Sequence, residues 1–148
     1  MRAWVAALAS TLALAGCLQG EPKYFPDESR SVVALHVNGY QSKDGDARTA
    51  RIEVTGLGAD KEERAFAGRI VITLERQDPA EGGAVTYAPP VSRAFDVTAD
   101  DFASPTVPVF VATLPASGFE EGHTYRVGAT ATIGGRALEA PTALFYWA

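Results

Sequence analysis

Residues 124–138, TYRVGATATIGGRAL, alternate in chemical character at almost every step until two glycines interrupt them. Tyr125, Val127, Ala129, Ala131 and Ile133 fall on one side, and Thr124, Arg126, Thr130 and Thr132 fall on the other. Successive side chains of a strand point to opposite faces, so the segment is predicted to be a strand with one face buried. Gly134-Gly135 supplies the positive φ angles of a two-residue hairpin turn. With that turn, Ile133 lies opposite Arg136 and Ala131 opposite Leu138, which carries the apolar face across the hairpin. A slip of one residue would turn every apolar side chain outward, so the pattern specifies its own register.

The same period recurs upstream. Val33, Leu35 and Val37 share a face within 31–37, Ala50, Ile52 and Val54 share another, and Ile70, Ile72 and Leu74 alternate with Arg69, Thr73 and Glu75. Shorter candidates lie at 84–87, 93–97 and 107–114, where Pro108 suits a strand start or an edge because it cannot donate to a ladder. A final strand is predicted over 142–147, after Pro141. About eight strands and no helix, separated by Gly, Pro and Asp clusters, predict a β-sandwich or small barrel. A chain of 148 residues accommodates one hydrophobic core, here placed in residues 31–148.

The stretch His123–Ala129, HTYRVGA, with Leu114-Pro115 before it, resembles the late strand of immunoglobulin-like and fibronectin type III-like domains. In those folds a tyrosine near the strand's start bonds back to the corner loop, and the resemblance implies that role for Tyr125. There is no cysteine pair, and the two tryptophans are Trp4 and Trp147, so an antibody-type core is excluded. The fold class expected is all-β, an immunoglobulin-like or transthyretin-like β-sandwich of about seven to eight strands.

At the other end of the chain, Arg2 precedes thirteen uncharged, mostly apolar residues, Ala3–Ala15. That run is shorter than the roughly 20 residues of a membrane-spanning helix. A positive start, a short apolar run and small residues after it are the signature of a secretory signal peptide. Leu14-Ala15-Gly16-Cys17 resembles the bacterial lipoprotein lipobox at all four positions. The resemblance implies cleavage between Gly16 and Cys17, a diacylglycerol thioether on Cys17 and an acylated new amino terminus. One acyl chain holds a protein only marginally, whereas two or three give a stable anchor. Leu18 in place of an aspartate implies, by the same resemblance, transfer to the outer membrane, facing the periplasm or the cell surface.

The organisation expected is therefore a signal peptide over 1–16, a lipidated extended tether over 17–30 and a sandwich over 31–148. With Pro22 and Pro26, the tether would reach roughly 40 Å at about 3.1 Å per residue. Tyr24 and Phe25 are expected to pack against the base of the domain. Once Cys17 carries lipid no thiol remains, so the fold has no disulfide to rely on.

A net charge of −5, or −6 once Arg2 leaves with the signal, opposes nucleic acid and anionic headgroups. Phosphate-cradling glycine motifs, dinucleotide fingerprints and basic aromatic stripes are absent from the sequence, so no nucleic-acid partner is expected. The two histidines, His36 and His123, would need carboxylates to complete a zinc site, and no Gly-x-Ser-x-Gly context supports a serine triad. No catalytic residue, metal or cofactor is expected apart from the covalent lipid. Asp44, Asp46, Asp100 and Asp101 are weak Ca²⁺ candidates that lack the bidentate glutamate of a calcium loop. Together with Glu120-Glu121, they are explained more simply as solvated turns.

The function expected is a lipid-anchored cell-envelope protein that presents a non-catalytic sandwich to a protein, an envelope polymer or a small ligand. The alternative is an envelope enzyme or Ca²⁺-dependent protein that uses the acidic loops. Candidate contact residues are Tyr40 in the 38–47 loop, Phe102 and Phe119, each of which would otherwise plug a corner. An outer-membrane barrel, suggested by Leu144-Phe145-Tyr146-Trp147, is opposed by charges on both strand faces, by Pro108 and Pro141, and by strands shorter than the roughly 9–11 residues required.

Overall fold

A computed structural model describes residues 21–104 and 106–148, so the signal segment, its cleavage site at Gly16 and Cys17 lie outside the described residues. The strands in chain order are β1 (Lys23–Tyr24), β2 (Ala34–Asp44), β3 (Ala47–Leu57), β4 (Glu63–Arg64), β5 (Gly68–Pro79) and β6 (Val85–Tyr87), then β7 (Val91–Val97), β8 (Ala103–Ser104), β9 (Phe110–Pro115), β10 (His123–Ile133), β11 (Arg136–Glu139) and β12 (Ala143–Trp147). Only short 3₁₀ turns interrupt them among the described residues, and no helix there is long and apolar enough to cross a membrane.

Two sheets carry the fold. In one, β5 pairs with β10 on one edge and with β7 and β6 on the other, while β10 pairs with β11 and then β12 along its free side. The chain slips past Pro141 without leaving that side, because the Ala140 N–H still bonds the Ala129 carbonyl at 2.9 Å. In the other, β3 pairs with β2 on one edge and with β9 and β4 on the other. Leaving out the two-residue strands β1, β4 and β8, and counting β6 with β7 and β11 with β12 as single lanes, the first, second and fifth lanes form one sheet and the third, fourth, sixth and seventh form the other. The arrangement is the all-β sandwich expected. The hairpin register is also as predicted, with Ile133 opposite Arg136 and Ala131 opposite Leu138.

The inner faces meet in a core of small and branched side chains: Val37, Ala50, Ile52 and Val54 from one sheet, Ile70, Ile72, Val127, Ala129 and Ile133 from the other. Aromatic clusters close its two ends. At one end, Phe102 packs on Phe66 (ring centroids 4.8 Å) and Phe110 (6.2 Å). At the other, Phe119 stacks on Trp147 (4.7 Å) and meets Tyr125 edge-on (4.9 Å).

Residues 23–31 depart from the expected tether. They form a strap across the first end of the sandwich. Lys23 and Tyr24 pair with Ser104 and Ala103, and the Glu28 N–H bonds the Ala65 carbonyl at 3.0 Å. Ser29 Oγ accepts the Ala67 N–H at 2.8 Å, and the Arg136 guanidinium donates to the Ser29 and Val32 carbonyls, both at 2.8 Å. Proline content pointed to an extended chain, and an extended chain is what a neighbouring backbone can pair with. Phe25 packs on the core as expected, whereas Tyr24 does not and stays exposed. Val33 is a second correction, since the alternation breaks before β2 begins. Val32 is buried in its place, and Val33 is exposed with its N–H on the Leu57 carbonyl.

Candidate functional site

The two long sides of the sandwich differ. Along the β2–β12 side the sheets are sewn together by the Gln41 carboxamide, which accepts the Ala148 N–H at 2.9 Å and donates to the Ala148 carbonyl at 3.5 Å. Arg48 adds to the seam, bonding the Ala148 carbonyl and Glu121 and lying 5.6 Å from the Trp147 ring centroid. Along the opposite side, β7 pairs only with β5 and β9 pairs only with β3 among the described residues, and a cleft of about 600 Å³ opens between them. Its floor is apolar, built from Leu74, Phe95, Leu114 and Phe119, and Val91 and Arg93 stand at its β7 rim.

Local geometry fixes this floor. After β9, a 3₁₀ turn over Ala116–Gly118 brings the chain back, with the Phe119 N–H on the Ala116 carbonyl at 3.0 Å. The Tyr125 hydroxyl then accepts the Glu120 N–H at 2.7 Å, which is the corner bond that the resemblance implied. Phe119 is thereby held between the Tyr125, Phe145 and Trp147 rings.

Charge at the cleft is uneven. Arg76 donates to Asp78 and to Glu120, each at 2.8 Å, and the Asp78 hydrogen bond is the main reason its guanidinium pKa lies above the ordinary value. The same bond holds the Asp78 carboxyl below the ordinary aspartate value. Arg93, by contrast, makes no ion pair among the described residues. The cleft thus offers an apolar trough with one uncommitted cation at its rim. An inward-pointing charge of this kind also guards an edge strand against pairing with another chain.

Of the three candidate contact residues, Tyr40, Phe102 and Phe119, only Phe119 lines the cleft. Tyr40 is not in a loop, because β2 runs on to Asp44 and leaves a tight turn at Gly45. It sits on the outer face of its sheet, where its hydroxyl donates to Glu53 at 2.9 Å and Arg51 lies 5.9 Å from its ring centroid. Burial, and then the Glu53 hydrogen bond, push its phenol pKa up. Phe102 is fully buried between Phe66 and Phe110, so it plugs the corner and presents no surface for contact.

The acidic pairs are divided between the two ends. Asp44 and Asp46 flank the β2–β3 turn at the same end as Pro115, Glu120 and Glu121. Asp100 and Asp101 lie at the other end, where the Asp101 carboxylate accepts the Thr98 N–H at 2.8 Å in a capping box. Strand direction therefore keeps the Asp44–Asp46 turn and the Asp100-Asp101 turn apart, and among the described residues no group of three or more His, Cys, Asp or Glu side chains is placed to hold a metal. The histidines are similarly separated: His36 faces out of β2 opposite Thr55, and His123 opens β10 opposite Trp147.

Arg76 and Arg93 escaped the sequence reading. Both continue an apolar phase, Ile70-Ile72-Leu74-Arg76 and Arg93-Phe95-Val97, and a charge in that phase marks where a core face meets an opening.

No family model matches the chain, and no curated protein matches it. Among solved structures, the sporulation control protein Spo0M from Bacillus subtilis aligns over 78% of this chain at 14% identity with a TM-score of 0.29. The chain spans 50% of that protein's length, and a likeness at this score carries no argument.

Proposed function

We propose that this chain is a cell-envelope lipoprotein, anchored at the outer membrane through Cys17, whose sandwich serves as a non-catalytic binding module. The observation that carries the binding half is the β7–β9 cleft. It is apolar on its floor, falls within the roughly 300–1,000 Å³ of ligand sites, and is bordered by two strand edges that are unpaired among the described residues. Support for the anchor comes from the four-position match at Leu14–Cys17.

The anchor is tested by Cys17→Ala. The expected result is loss of the lipid mass and release from the membrane fraction, and an unchanged membrane fraction refutes it. The cleft is tested with anilinonaphthalene sulfonate, an apolar anion suited to the Leu74–Phe119 trough and Arg93. Folded protein should raise its fluorescence, and Val91→Asp, at a rim residue 69% exposed and so tolerant of change, should remove most of that gain. Equal fluorescence with both proteins refutes the cleft as the site.

A further inference from the structure

The strap changes where the chain leaves the domain. A tether to residue 30 would let the sandwich drift, but the backbone is already paired at Lys23↔Ser104 and held through Glu28 and Ser29. Six peptide steps separate Cys17 from Lys23. Fully stretched, at about 3.3–3.6 Å each, they span roughly 20 Å. That is half the reach of the expected tether.

Tyr24 is 68% exposed although the adjoining Phe25 packs on the core. Val107, 40% exposed, projects from the turn after β8, whose geometry is set by Ser104 Oγ accepting the Val107 N–H at 2.8 Å. Lys23 sits beside them, paired to that same Ser104. An amphipathic tyrosine ring with an aliphatic neighbour and a lysine is the residue set that settles at a membrane–water interface.

We propose that this strap end is a membrane-contact surface, with Tyr24 and Val107 resting among lipid headgroups beside the anchor; the inference rests on lipidation of Cys17. The acyl chains supply the residence, so the contact needs only to bias orientation, and at a high effective concentration a weak contact is enough. Glu21, Asp60, Asp100 and Asp101 lie at or near the same end, which makes the contact apolar and aromatic in character rather than a basic patch. These carboxylates oppose anionic headgroups, so the contact weakens as the anionic lipid fraction rises. The Asp44–Asp46 turn and Glu120-Glu121 then point away from the membrane.

The test uses the full acylated chain in phosphatidylethanolamine/phosphatidylglycerol vesicles containing brominated lipid. Because Cys17 is occupied, a single thiol introduced by Thr106→Cys, or at the far end by Asp46→Cys, takes a fluorophore specifically. The strap-end probe is expected to be quenched at least about threefold more than the far-end probe, and to lose that excess when Tyr24→Ser and Val107→Ser are added. Unchanged melting of the doubly substituted protein shows that the strap has stayed in place. Equal quenching at both ends of a protein whose mass shows the lipid overturns the contact and leaves the anchor standing. Quenching that survives both serine substitutions also overturns it, since the short tether alone would then account for the proximity. A mass without lipid removes the anchor, and the contact falls with it.

Discussion

Replacing Tyr125 by phenylalanine removes one oxygen atom and leaves the ring against Phe119 and Phe145. The lost group is the acceptor of the Glu120 N–H at 2.7 Å, and Tyr125 is 5% exposed. Because the ring stays, no cavity term arises, and the effect reduces to an amide left without its partner, about 1–3 kcal/mol. For a domain of this size each kcal/mol lowers the melting temperature by about 3–5 °C, so a fall of about 6–10 °C is expected at the middle of that range. Urea titration should show a lower midpoint with an unchanged slope, since the surface exposed on unfolding is the same. Glu120→Ala is the control. It keeps the N–H and removes only the exposed contacts to Arg76 and His123, so it should stay within about 0.5 kcal/mol of the parent, as exposed ion pairs do. A Tyr125→Phe protein that melts within about 1 °C of the parent would refute the reasoning. Water would then be replacing the hydroxyl, and the corner would not be what holds Phe119 in the cleft floor.

Phe102→Ala should destabilise by about 3–5 kcal/mol through the void left against Phe66 and Phe110; a near-neutral result in thermal melting would mean that the ring is a surface group after all. Gly68→Ala sets a methyl against the Thr132 backbone carbonyl, and hydrogen exchange should show faster exchange where β5 meets the end of β10, with unaltered protection contradicting the close approach. Asp27 is held below its ordinary value of 3.8 by Ser29, and Asp78 by Arg76. The unfolded chain therefore takes up these protons first, so their contribution is complete above the unfolded value and is lost as pH falls through the folded ones. Urea midpoints should drop below about pH 4, and drop less in the Asp27→Asn, Asp78→Asn protein; equal drops would show that other carboxylates govern the acid limb.

Where a segment's two faces differ chemically, its structure was readable. Tyr125–Ile133 announced its strand, its buried face and, through Gly134-Gly135, its partner's register. Tyr125 carried the corner bond because the role belongs to a single residue at a fixed place in a strand. The strap was not readable, since Glu21–Ser31 has no period and its conformation is set by distant backbone groups at Ala65 and Ala103. Nor was the cleft, which depends on which strand edges remain unpaired and on how far the sheets separate. Its only local trace was Arg76 and Arg93 in apolar phase. Tyr40 and Phe102 show the complementary difficulty: an aromatic near acidic residues looks alike on the outer face of a sheet and in a sealed corner.

The Gln41 seam has a mechanical meaning. β2 runs away from the strap end, and β12 runs in the same direction to finish at Ala148, where the Gln41 carboxamide takes the place of a peptide group between them. A pull between the strap and the chain's last residue therefore acts along these two strands in opposite senses. Such a load meets the Gln41 and Arg48 contacts and the buried faces together, in shear, rather than peeling them away one after another. The side that resists tension is thus the stitched one, and the open side with its cleft lies off the line of force.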